Sequence, residues 1–248
     1  MDPHDLLDAV FPPRCPLCAG SDPGDGLGCA EHRLPLRPEG PRCGRCARAL
    51  PAAIADGESC AGCRIDPPSF RAAIALADYR AQPAVREWIL ALKHGQRPAL
   101  ARTLGRALAN RFVEVRSRTP AVDGKPLLVP VPLHLLRRFE RGYDQALLVA
   151  DAAGACAGLE VVRALARARA TPAQGSIGAP TRALNVADAF RPRRGFPFMQ
   201  ARARARVAGR EVWIVDDVVT SGATASECAR VLRRLGAARV GVLALARA

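Results

Sequence analysis

Two adjacent carboxylates, Asp216 and Asp217, follow the apolar run Val212-Trp213-Ile214-Val215 and precede a small-residue turn, Thr220-Ser221-Gly222-Ala223-Thr224. A turn of this composition at the start of a helix offers backbone N–H groups and hydroxyls to a phosphate. Carboxylates beside such a cradle suit a sugar phosphate, by accepting hydrogen bonds from its hydroxyls or by helping to hold Mg²⁺. The plainer reading is an ordinary strand, turn and helix with an acidic turn. Against it stands the coincidence of apolar strand, acidic pair and T-S-G-A-T turn in one register.

A second chemistry lies near the N-terminus. Cys15-Pro-Leu-Cys18 and Cys29-Ala-Glu-His32 form one set, and Cys43-Gly-Arg-Cys46 and Cys60-Ala-Gly-Cys63 form another. A CxxC turn places two thiolates on one side of a loop, and two such turns complete a tetrahedron around Zn²⁺. Intervals of ten residues after Cys18 and thirteen after Cys46 suit short zinc ribbons. His32 stands where a fourth cysteine would complete the first set. Pairing across the sets, such as Cys15 and Cys18 with Cys60 and Cys63, is also open on spacing alone. Little apolar material separates the pairs, so metal would supply much of the folding free energy, with a structural role. Cys156 and Cys228 fall on apolar helical faces and read as core residues.

The elements that must position these groups follow from hydrophobic period. Val212 to Val215 runs apolar without alternating, which predicts a strand buried on both faces. A helix over Ala225 to Leu235, stopped by Gly236, should follow the turn. Leu127 to Val131 predicts a second buried strand, and Ala72 to Tyr79 a short strand leading from the cysteine module. Pro83 opens a helix with Val85, Trp88, Ile89 and Leu92 at helical spacing, ending at Lys93-His94-Gly95. A further helix runs from about Pro98 to Val113, and Asp144 is placed to cap another that ends near Ala157. Alternating strands and helices predict an α/β fold of residues 69–248 behind a cysteine-rich module of residues 1–68.

The net charge of +14 comes almost wholly from arginine, since Lys93 and Lys125 are the only lysines. A pI near 10.5 attracts polyanions, whether nucleic acid or phosphorylated small molecules. From Arg163 to Arg210 there are eleven arginines and one acidic residue, Asp188. Arg202, Arg204 and Arg206 alternate, which would align them along one side of an extended strand facing a phosphate backbone; the bland alternative is a solvated insertion. No run of about 18 apolar residues exists, so no membrane span is expected. The N-terminus lacks a secretory signal and the cysteines are arranged for metal, which together predict a cytoplasmic protein.

The pattern from Val212 to Thr224 resembles the phosphoribosyl-pyrophosphate (PRPP) motif of type I phosphoribosyltransferases. That resemblance implies a parallel sheet flanked by helices, with Asp216 and Asp217 on the ribose. Thr220, Ser221, Gly222, Ala223 and Thr224 would hold the 5′-phosphate. The loop after the second strand would embrace pyrophosphate with Arg137, Arg138 and Arg141. Val129-Pro130-Val131-Pro132, Arg141-Gly142-Tyr143-Asp144-Gln145, Thr171-Pro172-Ala173-Gln174, and Arg182 with Asn185 extend the resemblance to the ComF family, associated with competence. It implies a pyrophosphate role for Lys93, otherwise read as a solvated helix end, and a closing loop bearing Thr171, Gln174, Arg182 and Asn185. Asp144 replaces the usual asparagine.

Two functions therefore compete. One is Mg²⁺-dependent glycosyl transfer from PRPP, with no residue standing out as catalytic base. The other is a single-stranded DNA-handling factor working with competence machinery in the cytoplasm, its PRPP pocket regulatory or vestigial. The zinc reading is tested by metal quantitation before and after chelation: two ions per chain are expected, and fewer than one contradicts it.

Overall fold

A computed structural model describes residues 14–117, 124–134, 139–168, 188–193 and 204–248. Arg137, Arg138, Thr171, Gln174, Arg182, Asn185 and Arg202 lie outside them. The architecture is the expected α/β one, a parallel sheet with helices on both faces and an N-terminal cysteine module.

In chain order the elements are α1 (Ala61–Ile65), β1 (Ala72–Asp78), α2 (Pro83–His94), α3 (Leu100–Arg116) and β2 (Leu127–Pro130). They continue with α4 (Gln145–Ala157), β3 (Glu160–Val161), β4 (Leu165–Arg167), β5 (Phe190–Pro192), β6 (Glu211–Val219), α5 (Ala223–Arg234) and β7 (Arg239–Arg247). The five-stranded sheet has the order β1-β7-β6-β2-β3, and all its pairings are parallel. β4 and β5 form a separate antiparallel ribbon.

β6 is central because its first residues satisfy both faces with apolar side chains. Val212 and Ile214 join the core beneath α5, while Trp213 and Val215 join the core under α2, α3 and α4. From β2 the chain moves outward to β3, and from β6 it moves outward to β7. The C-terminal ends of β2 and β6 therefore flank the point where strand order reverses, the place where open parallel sheets bind ligands.

The cysteine module is not packed by itself. Leu27 and Leu34 enter the core that contains Trp88, whereas Ala47, with Phe70 just beyond the module, enters the core on the opposite face. The Trp88 indole N–H donates to the His32 carbonyl at 2.7 Å, and the Ala73 N–H reaches the Gly44 carbonyl at 3.2 Å. Arg42 pairs with Asp78 at 3.0 Å. The module thus covers edge strand β1, which would otherwise expose unpaired backbone.

Cys228 is fully buried, as expected, but Cys156 is exposed. Cys156 lies seven residues after the buried Val149, on nearly the same face, but in the last turn of α4, where its sulfur stands 3.9 Å from the Asn110 side-chain oxygen. Arg204 and Arg206 lie in a helical turn over 204–207, not in the extended strand that their alternation predicts. Arg206 pairs with Glu160, which also takes Arg210 at 3.3 Å, so the local acid deficit is partly met from β3.

α3 and α4 cross closely at Gly105, where an added Cβ would stand 2.5 Å from the Ala152 Cβ and 2.8 Å from the Val149 carbonyl. Gly105→Val should destabilise the chain by about 3 kcal/mol through overpacking, read as a lower midpoint in urea denaturation. An unchanged midpoint would contradict this packing.

Candidate functional site

β6 carries Asp216 and Asp217 to the reversal point, and strand alternation sends their side chains to opposite faces. Asp217 turns toward α2 and α4. Its Oδ1 lies 2.9 Å from the Lys93 Nζ, and its Oδ2 accepts from the Gln145 side-chain amide at 3.2 Å. Asp216 faces the side of Arg167 and Cys228. Its Oδ1 accepts the Asp217 backbone N–H at 2.9 Å. Burial, and then the Asp217 carboxylate, push the Asp216 carboxyl up to about 7, against the pull of Lys93 and Arg167.

These groups floor an open cleft of about 190 Å³, also lined by Pro132, Leu133, Arg141, Asp144, Arg167 and Thr224. Its β2 wall is held by the R-G-Y-D-Q segment. Asp144 caps α4 by accepting from the Leu147 N–H at 3.2 Å, and its other oxygen accepts from the Leu133 N–H at 3.4 Å. The acidic replacement therefore has a local use, since one carboxylate ties helix start and loop together. The Tyr143 hydroxyl donates to the Leu92 carbonyl and so fixes this segment to the turn of α2 that bears Lys93.

On the β6 side, Gly222 precedes α5 with a φ of 82°, a left-handed conformation open to glycine. The helix begins at Ala223, two residues earlier than hydrophobic period placed it. The Ser221 hydroxyl accepts the Ala223 N–H at 3.3 Å, and the first turn of α5 carries no acidic residue. Small side chains, free of carboxylate competition, leave this turn suited to an anion.

Of the predicted site residues that are described, the fold brings Lys93, Arg141, Asp216, Asp217 and the turn 220–224 to one place. Arg204 and Arg206 lie elsewhere, near the N-terminal ends of the strands. Sequence reading missed Arg167, which enters from the β4–β5 ribbon with its guanidinium 5.4 Å from the centre of the Phe190 ring. It also left Gln145 as part of a motif with no role. Gln145 is 5% exposed, and among the described residues its side-chain carbonyl oxygen has no partner. Its place directly after a capping residue, as a polar first residue on a largely apolar helix, was the available signal.

The cysteine sets assemble as spaced, Cys15, Cys18, Cys29 and His32 in one cluster and Cys43, Cys46, Cys60 and Cys63 in the other. The cross-set pairing is not formed. Cys18 and Cys29 sulfurs stand 3.7 Å apart, as do those of Cys46 and Cys60. That matches the edge of about 3.8 Å expected for a tetrahedron with Zn–S bonds of about 2.3 Å. Backbone N–H groups of Leu17, Gly20 and Cys60 point at cysteine sulfurs, which favours the thiolate form. His32 directs Nδ1 to Cys29 at 3.2 Å and Nε2 to Glu87 of α2 at 3.0 Å, the carboxylate support usual behind a zinc-bound imidazole. Both donor sets fit Zn²⁺.

Residues 6–64 match the double zinc ribbon domain. DNA utilization protein YhgH of Escherichia coli (strain K12) is 30% identical over 234 residues, covering 94% of this chain and 89% of that protein. The protein of the same name from Salmonella typhimurium is 32% identical over 208 residues, covering 84% and 83%. Competence protein F of Haemophilus influenzae is 28% identical over 214 residues, covering 84% and 85%. Two solved structures resemble it more distantly. The allosteric regulatory enzyme of purine biosynthesis aligns with a TM-score of 0.36 and 20% identity over 58% of this chain. Glutamine PRPP amidotransferase from B. subtilis, complexed with ADP and GMP, gives 0.34 and 22% over 57%. The chain spans 25% of the length of each. With its zinc ribbons, its strand-end acidic pair and these relatives, the chain belongs to the ComF family.

Proposed function

We propose that the chain binds PRPP with Mg²⁺ in the cleft between β2 and β6. The observation that carries this is the Lys93–Asp217–Gln145 constellation standing beside the turn 220–224 at the reversal point of a parallel sheet. Thr220 to Thr224 would receive the 5′-phosphate, and Asp216 and Asp217 the ribose hydroxyls. Arg141 and Lys93, joined by Arg137 and Arg138, would face the pyrophosphate, for which guanidinium groups offer bidentate donors. Thr171, Gln174, Arg182 and Asn185 belong to the segment that would close over the bound ligand. Mg²⁺ characteristically takes one or two carboxylates together with phosphate oxygens, a donor set that this cleft and PRPP supply jointly. Phosphoribosyl transfer would then rest on holding the ribose while cationic side chains stabilise the departing pyrophosphate.

Calorimetry with PRPP and Mg²⁺ tests the reading. Lys93→Met and Asp217→Asn should each weaken binding by about tenfold or more, and an absence of heat with the unaltered chain would overturn it. The pH dependence has a definite sign. Asp216 holds its proton below about 7 in the free protein, whereas hydroxyl or Mg²⁺ contacts favour the carboxylate. Affinity should therefore rise as pH climbs toward 7, and Asp216→Asn should remove that share of the slope. For folding the sign is opposite. Between the ordinary carboxylate range and about 7 the folded chain keeps a proton that the unfolded chain has lost, so this group's contribution falls as pH rises.

A basic surface at the far end of the sheet favours a second reading, the handling of single-stranded DNA alongside competence machinery. Arg204, Arg206, Arg233, Arg234, Arg239 and Lys125 are all exposed there. They surround the Gly209 N–H to Gly236 carbonyl contact of 2.9 Å and the Arg210 to Lys125 carbonyl contact of 2.6 Å. Glu160 is already paired, and Glu211 is buried against Arg116. The names of the curated relatives, DNA utilization protein and Competence protein F, support a DNA partner. Replacing Arg233, Arg234 and Arg239 by Ala should weaken oligonucleotide binding and lower its salt slope by about one per lost phosphate contact. Unchanged affinity and slope would remove this surface from consideration.

A further inference from the structure

Arg247 is 3% exposed, an uncommon place for a guanidinium. Its Nε donates to the Cys46 carbonyl at 3.0 Å, and its Nη1 donates to the Val219 carbonyl at 3.0 Å and to the carbonyl of Ala248. Among the described residues no side-chain carboxylate pairs with it. A buried cation needs compensating charge, and the second cysteine cluster can contribute it, since Arg247, Cys46, Cys60 and Cys63 border one cleft. Four thiolates around one divalent ion leave a net charge of about −2.

The two carbonyls that Arg247 joins have unrelated positions in the chain. Cys46 is a ligand of the second zinc centre, and Val219 is the last residue of β6, directly before the turn 220–224. The Ala248 N–H meets the same Val219 carbonyl at 3.0 Å. The exit of the turn is also braced from the module side. Phe70 is fully buried, and its ring lies 3.6 Å from the position a Cβ would take on Gly222. The Ser69 N–H donates to the Ser226 hydroxyl of α5 at 3.3 Å. By contrast the first cluster reaches the cleft through His32, Glu87 and α2, the helix that bears Lys93.

We infer that Arg247 is a positioning residue that sets the backbone of the phosphate turn from the second zinc ribbon, making that ribbon a determinant of anion affinity. The inference rests on reading 220–224 as the phosphate-binding turn. Anion capture by backbone N–H groups depends on their being aimed beforehand, because ordering them on binding subtracts from affinity. Arg247 fixes the carbonyl at the entrance, and Phe70 limits the space at Gly222.

The test uses the full-length, zinc-loaded chain carrying Arg247→Met, with metal quantitation and amide hydrogen exchange of peptides covering 219–226. Zinc should stay at two per chain. Exchange in 219–226 should accelerate by about tenfold while β2 and α3 change by less than about twofold. Affinity for PRPP with Mg²⁺ should fall by a similar factor, and affinity for inorganic pyrophosphate alone, which meets Lys93 and Arg141, should hold. Where Arg247→Met fails to fold, Arg247→Lys keeps the charge but cannot hold both carbonyls as a fork does, and should give the same local exchange. Unchanged protection of 219–226 with zinc retained would overturn the inference. Failure of the unaltered chain to bind PRPP would instead remove the pocket reading and leave the exchange result to decide the role of Arg247.

Discussion

The ion pair between Lys93 and Asp217 governs how β6 can end. Two consecutive carboxylates at the close of a buried strand cannot both be ionised without compensation, because each lies in poor solvent and repels the other. Alternation along the strand separates them across the sheet. Lys93 and the Gln145 amide then satisfy Asp217, and Asp216, left to burial and that neighbouring charge, keeps its proton to about 7. The rest of the cleft follows from placing those two partners. α2 must end against the sheet so that Lys93 reaches across, and Tyr143 secures that end. α4 must begin beside β6 so that Gln145 arrives, and Asp144 sets its first turn.

The cysteine ribbons serve this arrangement as well as their own folding. They cover β1 and contribute Leu27 and Leu34 to one face of the sheet and Ala47, with Phe70 just beyond the module, to the other. Each also reaches the cleft by a separate route, the first through Glu87 on the Lys93 helix and the second through Arg247 at the entrance to the turn 220–224. Small zinc modules ordinarily act as independent stabilising units. Here the two cysteine clusters connect to opposite walls of one cleft.

Local signals were strong where chemistry and backbone coincide in a short stretch. The acidic pair with its turn, both cysteine sets, the Asp144 cap and the Gly95 stop are all readable in windows of a few residues, and the fold forms each of them. What was hidden depends on distant pairing. Nothing around Lys93 announces Asp217, and nothing around Arg247, a terminal residue of an apolar strand, announces Cys46. Cys156 shows the limit of hydrophobic period near a helix end, where a residue on the buried face can still be exposed. The arginines of 202–206 show another limit, since alternation implies a strand only if the backbone is extended, and at Arg204 and Arg206 it is helical.

The central claim is that one cleft takes both ends of PRPP. A ³¹P NMR titration tests it directly, because the 5′-phosphate and the two pyrophosphate phosphorus atoms give separate resonances. All three should shift and broaden on adding the chain with Mg²⁺, and Asp217→Asn with Lys93→Met should return them toward their free positions. Resonances that stay at their free positions throughout, or a response from the pyrophosphate alone that survives both substitutions, would contradict it.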